Sequence, residues 1–325
     1  MGKQQNLLMH QGAIGDLILS LPAFYSIRKK IPEVRLEVMG YPQVLSLIYK
    51  RYYADAIVSV DRAGVASLYN EDGCLNEELQ HYLRQFEKVF IFGSKSQAVV
   101  IKNIQRIKDG PEVYHVKTFS ETLDMHATDF QLNQLAMLGF ANIHNIPEIF
   151  LCAEDINNAQ NFLSQKGIDI KNNPLIAVHA GSGSKAKNWP LENYVSLVQS
   201  LYQRGRGTVL VVEGPAERNL IDNMSEAIDG SNYIALQSLA LPLLAAVLSH
   251  CSLFIGNDSG ITHLAAALGV PTIALFGPTN PCIWGPRGTK VYIAREELDD
   301  GSKWKWASIE AVLKVALNCL DKNLF

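Results

Sequence analysis

The chain has 325 residues, enough for two domains of ordinary size, and 48% of them are hydrophobic, enough to fill sizeable cores. A formal net charge of −3 argues against a nucleic-acid binder, because a phosphate backbone needs a basic face. The five cysteines, Cys74, Cys152, Cys251, Cys282 and Cys319, form no C-x-x-C pair or His/Cys cluster, so they read as incidental thiols of a reducing compartment and not as zinc ligands.

Leu7, Leu8 and Met9 are too few for the apolar core of a signal peptide, and Asp16 separates them from the next apolar run. The most apolar long segment, residues 233–255, contains Gln237, Pro242, Ser249 and His250, so it predicts a helix plus a buried strand and not a membrane span. The expectation is a soluble, intracellular protein.

In chain order, residues 6–10 predict a first strand and 11–15 (QGAIG) a turn of small residues. Asp16 then opens a helical run in which Leu17, Leu21, Phe24, Ile27 and Ile31 keep roughly helical spacing. Pro22 lies inside it and predicts a kink or restart. Residues 36–39 give a second strand, so the chain opens strand–turn–helix–strand, with the turn on the ligand side of a parallel sheet. Read from its position alone, Asp16 is a helix cap.

Residues 56–60 and 88–92 are the clearest strands of the next stretch, and 70–86 predicts a helix with polar faces. Residues 101–108 bring Lys102, Arg106 and Lys108 together. Such a face is first a solvated helix surface, and secondly a contact for anionic lipid or a phosphorylated acceptor. Residues 130–139 form a helix with a glycine stop, and 145–152 and 171–174 are punctuation. The domain boundary is expected between 172 and 173.

The second half repeats the grammar. Residues 175–179 predict a strand. The following turn, AGSGSKAKNWP, offers the N–H groups of Gly181, Ser182 and Gly183 with Lys185 or Lys187 as a phosphate cradle, although it is not a Walker A loop. A helix over 192–204 and a strand over 209–212 follow. Glu217, just beyond, reads as a first-turn helix residue. Residues 253–276 then give strand, turn, helix and strand, the helix stopped at Gly269. In that turn Asp258 and Ser259 suit an N-cap, and Gly260 permits close approach of a ligand. Thr262 and His263 fall in the first helical turn. On the residues alone, the turn serves equally as a capped helix start or as a phosphate site. A strand over 290–293 and an amphipathic helix over 308–320 complete the chain.

Several stretches, in order, resemble one family. They are G-x-x-G-D to Pro22, beginning at Gly12; residues 126–139; Lys187, Trp189 and Pro190; residues 213–217 (EGPAE); and Asp258, Ser259, Gly260, His263, Ala266 and Ala267, followed by Phe276–Thr279 and Trp284–Pro286. This set is similar to family 9 glycosyltransferases, the bacterial ADP-heptose:lipopolysaccharide heptosyltransferases. Residues 40–110 carry almost none of the resemblance. Gln11 stands where the family often has a basic or small polar residue, and Glu213 replaces a glycine.

The resemblance implies an α/β protein of GT-B architecture, two Rossmann-like domains with parallel sheets facing across a cleft. Residues 1–172 would bind the acceptor, 173–325 would bind an ADP-sugar donor, and the final helix would cross back toward the first domain. It implies inverting transfer of heptose to a lipid-linked lipopolysaccharide core by direct displacement, at the cytoplasmic face of the inner membrane. Asp16 would be the catalytic base, with Gly12 and His126 toward the acceptor. Gly181, Ser182, Lys187, Glu217, Asp258, Ser259, Gly260, Thr262 and His263 would hold the donor, Lys187 on the diphosphate, Glu217 on the ribose and Asp258 on the sugar. Ser238 and Leu239 would lie near the adenine. No cofactor is implied. No metal is expected either, because no D-x-D pair ends a strand and no carboxylate or histidine cluster has ligand spacing. The rivals are a sugar-nucleotide epimerase on a similar fold, which needs no acceptor, and a non-catalytic nucleotide-sugar binding module. A nicotinamide-dependent oxidoreductase ranks third, since neither glycine turn has the dinucleotide fingerprint.

Overall fold

The apolar runs LLM, VFIF and LIAV contain no alternation, the pattern of strands buried on both faces of a parallel sheet. The computed structural model describes residues 5–93, 97–122, 124–141, 144–170, 172–214, 228, 233–297 and 304–321. In it these runs form two separate parallel sheets. The chain divides by its internal packing into one unit of residues 1–150 and another of residues 151–325.

The first unit contains β1 (Gln5–His10), β2 (Arg35–Gly40), β3 (Ala56–Ser59), β4 (Lys88–Gly93) and β5 (Glu112–Lys117), in the order β3-β2-β1-β4-β5. All neighbours are parallel, with Leu8 of β1 opposite Val38 on one side and Phe90 on the other. The chain leaves β1 toward β2 and later returns to β1's other side as β4. The carboxyl ends of β1 and β4 therefore flank a topological switch point, where open α/β sheets bind ligands. The helix Ile14–Lys30 buries Leu17, Leu21, Phe24 and Ile27. It runs through Pro22 without restarting, and Arg28 near its end pairs with Asp55 at 2.7 Å.

The helix expected over 70–86 is shorter. A 3₁₀ turn, Val65–Tyr69, precedes it, and the helix itself is Glu77–Leu83. Gly73, with a left-handed φ of 70°, breaks the run, and Asn76 starts it again by accepting from the Leu79 N–H at 2.8 Å. The basic helix begins early, at Gln97–Gln105, and leaves Lys102, Arg106 and Lys108 exposed.

The second unit contains β6 (Leu175–His179), β7 (Thr208–Glu213), β8 (Ile234–Gln237), β9 (Leu253–Asn257), β10 (Thr272–Leu275) and β11 (Val291–Ala294), in the order β11-β10-β9-β6-β7-β8, again all parallel. Here the switch point lies between β6 and β9. A short antiparallel pair that the sequence did not announce, β12 (Glu296–Glu297) with β13 (Trp304–Lys305), comes after β11.

The division at 150/151 precedes the expected boundary at 172/173. The helix Ala153–Gln165 packs on the helix Leu241–Leu248, which draws it into the second unit. The final helix, Ile309–Leu320, packs on the helix Leu191–Gln203 and on β9 and β10. Its Val312, Ala316 and Cys319 join a core that includes Trp189 and Tyr194. Among the described residues, no helix is long and apolar enough to cross a membrane.

Candidate active site

In the first unit the sequence turns sharply after β1. Gly12 leaves no room for a side chain, since a Cβ there would overlap the Asp16 Cβ and the His10 ring. The following helix begins at Ile14, so Asp16 is its third residue and not its cap. Its carboxylate still reaches back, Oδ2 accepting from the Ala13 N–H at 3.0 Å, while the residue stays exposed. A cavity of about 230 Å³ opens beside it, lined by His10, Gln11, Gly12, Asp16, Phe92, Gly93, Gln97, Thr118 and Phe119. These residues come from the carboxyl ends of β1, β4 and β5 and from the starts of the helices Ile14–Lys30 and Gln97–Gln105. Gln11 also donates from Nε2 to the Tyr69 hydroxyl, which fixes its amide at the rim.

His126 is placed otherwise. It is 9% exposed, precedes the helix Ala127–Met137, and accepts from the Thr128 N–H through Nδ1 at 3.2 Å. It acts there as a helix cap, and it is not among the residues that line the cavity.

In the second unit, two segments far apart in sequence meet at the carboxyl ends of β6 and β9. Lys187 Nζ lies 2.8 Å from Asp258 Oδ2, and the Thr279 hydroxyl donates to the same oxygen at 2.6 Å. Asp258 is 6% exposed, so its charge needs these partners. Ser259 caps the helix Gly260–Ala267, accepting from Thr262 N–H at 3.4 Å, and His179 Nδ1 lies 3.2 Å from its hydroxyl. Gly181 and Ser182 follow β6. Ser182 Oγ lies 2.7 Å from both Ser184 O and Asn188 Oδ1. His263 lies inside the first helical turn and is 5% exposed. Lys185 is exposed and Lys187 half-buried, which selects Lys187 as the lysine turned toward Asp258. Gly269 ends the helix at a left-handed φ of 76°. Glu217 lies outside the described residues. Ser238, at the end of β8, has a left-handed φ of 50°, uncommon for a residue with a side chain.

The sequence reading missed the residue that holds this arrangement together. Asn257 belongs to β9 and is fully buried. Its Oδ1 accepts from the Trp189 N–H at 2.9 Å and from the Tyr194 hydroxyl at 2.8 Å, and its Nδ2 donates to the Ala180 carbonyl at 2.8 Å. One amide thus clamps both ends of the 180–189 loop to the strand that carries Asp258. The available signal was a buried-type strand ending in Asn, next to an Asn-Trp-Pro turn.

A sequence model of glycosyltransferase family 9 (heptosyltransferase) matches residues 85–311. The chain belongs to glycosyltransferase family 9. As a member of that family it is a glycosyltransferase. Among its relatives, lipopolysaccharide heptosyltransferase 3 of Escherichia coli K12 is 20% identical over 288 residues, which are 84% of this chain and 82% of the relative. A family 9 glycosyltransferase of Veillonella parvula has the same fold with a TM-score of 0.80 at 22% identity, over 99% of each chain. The ADP-heptose lipopolysaccharide heptosyltransferase II of E. coli superposes with a TM-score of 0.77 at 16% identity, over 98% of this chain and 99% of that one. The two parallel-sheet α/β domains are thus the GT-B architecture of family 9.

Proposed function

We propose that this family 9 member moves heptose from ADP-heptose to the inner core of lipopolysaccharide, with inversion, in one displacement. The observation that carries the reading is the Lys187–Asp258 pair at 2.8 Å beside the capped N-terminus of the helix Gly260–Ala267. A lysine and a helix N-terminus are what a departing diphosphate requires, and the adjacent carboxylate suits sugar hydroxyls. In this reading Gly181, Ser182, Ser259, Gly260, Thr262 and His263 form the rest of the donor site. Glu217 holds the ribose, on the strength of the sequence motif. Asp16, on the rim of the first unit's cavity, takes the proton from the acceptor hydroxyl as the oxygen attacks the anomeric carbon, and Gly12 gives the acceptor room.

The acceptor is lipid-linked, so the enzyme works at the cytoplasmic face of the inner membrane. Lys102, Arg106 and Lys108 supply a basic face for a peripheral contact there.

The test is mass spectrometry of the products formed by the purified protein from ADP-heptose and truncated lipopolysaccharide acceptors. The expected product is acceptor carrying one added heptose. Conversion of the sugar nucleotide without acceptor would overturn the reading in favour of an epimerase. Tight ADP-heptose binding without turnover on any acceptor would leave a binding module.

A further inference from the structure

The turn that leads into the helix of Asp16 is braced by a buried histidine. His10 ends β1, is 2% exposed, and packs against Phe24 and Phe92 at ring-centroid distances of 6.0 and 6.1 Å. Its Nδ1 lies 3.3 Å from the Gly12 nitrogen, and its Nε2 lies 3.2 Å from Ser20 Oγ. The Ser20 hydroxyl in turn is 2.8 Å from the Asp16 carbonyl oxygen. A backbone N–H only donates and a carbonyl only accepts, so this chain has one direction. Gly12 N–H donates to Nδ1, Nε2–H donates to Ser20 Oγ, and the Ser20 O–H donates to the Asp16 carbonyl. Only the neutral Nε2–H tautomer satisfies all three bonds. A second proton, on Nδ1, would face the Gly12 N–H. Burial acts in the same sense, lowering His10 to about 4 against the smaller opposing effect of nearby backbone carbonyls. The groups facing the ring are Asp16, Ser20 and Phe24 from the helix, Phe92 from β4, and Gly12 from the turn.

We propose that His10 is a positioning residue for the catalytic base, gripping the 11–16 turn at Gly12 and, through Ser20, at Asp16, so that the carboxylate stands at the cavity rim. The inference rests on the reading of Asp16 as the base. His10 also contributes to the cavity wall, and the role proposed for it runs through that carboxylate and not through contact with the substrate.

Two measurements on the full-length enzyme test it. Nitrogen-15 NMR of the histidine rings should show His10 as the neutral Nε2–H tautomer at pH 7; an Nδ1–H tautomer or an imidazolium would overturn the proposal. Kinetics should show kcat falling about 10- to 100-fold in Ser20→Ala, the cost of a slightly misplaced group. His10→Gln keeps a donor near Ser20, and His10→Asn keeps an acceptor near Gly12, so each should fall less than His10→Leu. Donor KM and ADP binding should stay at wild-type values. In an Asp16→Asn background these substitutions should cost no further activity. Additive losses in that background, or wild-type kcat in Ser20→Ala and both polar His10 variants, would overturn the positioning role. Wild-type kcat in Asp16→Asn alone would instead remove the base reading beneath it. Ser20→Ala removes a single oxygen and the NMR needs no variant, so the experiment stays decisive even where a His10 variant fails to fold.

Discussion

Asp16 occupies the third position of its helix, where its carboxylate accepts from the Ala13 N–H. Asn can accept the same bond, but it cannot take a proton. Asp16→Asn should therefore lower kcat by roughly 10²–10⁴-fold and leave the melting temperature and ADP binding nearly unchanged. A kcat within about threefold of wild type would return the residue to a structural role. Lys187→Ala should weaken ADP binding by about 1.5–3 kcal/mol and also slow turnover, because leaving-group charge grows in the transition state. Unchanged ADP binding by calorimetry would mean that the donor is held elsewhere. As candidates these two residues were legible because Asp16 directly follows a glycine in G-x-x-G-D and Lys187 sits in a K-x-W-P element. Asn257 was not. An asparagine after a buried strand reads as turn chemistry, and its actual partners, Trp189, Tyr194 and Ala180, lie more than sixty positions away in sequence. His126, read as facing the acceptor, is found capping a helix, and a histidine at a helix start carries the same letters whether it caps or binds.

The parallel strands made of uninterrupted apolar runs between glycine turns were read almost to the residue, whereas the edge strands β5 and β8, whose sequences EVYHVK and IALQ mix polar and apolar residues, were missed. The 70–86 region was misread because its break depends on the left-handed Gly73 and the Asn76 cap, local devices that outweigh the helical propensity of the run. The 180–189 loop owes its shape to one amide. Asn257→Ala should leave the Tyr194 hydroxyl, the Trp189 N–H and the Ala180 carbonyl without that partner. A loss of at least about 1–3 kcal/mol in chemical denaturation is expected, together with weaker ADP binding. A variant as stable as wild type would show that the loop is held by other contacts. The strand-to-helix joint at His10 predicts a pH effect. Its folded pKa, about 4, lies below the ordinary histidine value, so the unfolded chain takes up the proton first. Its contribution is complete above about pH 6.5 and is lost as pH falls toward 4, at up to about 1.4 kcal/mol per unit. His10→Gln should flatten the stability curve in that window. An identical slope in both proteins would assign it to other groups.

At the scale of the molecule, two sheets of the same design each present a switch point, and each switch point carries one part of the proposed reaction. In the proposed reaction, positive charge for the diphosphate comes from Lys187 and a helix N-terminus, so turnover should persist in EDTA. Complete loss that magnesium or manganese restores would overturn this. The likeness of the two halves was legible as repeated strand–turn–helix grammar. The division at 150/151 was not, because the helix Ala153–Gln165 declares its allegiance only through packing on Leu241–Leu248. The strand order of the first sheet also sets a timetable. Asp16 leaves the ribosome early, with the helix that bears it, but the cavity beside it needs Phe92 and Gly93 from β4, Gln97, and Thr118 with Phe119 beyond β5. A nascent chain therefore carries the proposed base for about a hundred residues of synthesis before it has a pocket. At roughly 5–20 residues per second that is an interval of several seconds or more. Until β4 is made, β1 has β2 on one side and an open edge on the other, a strand edge of the kind that chaperones cover and aggregates exploit.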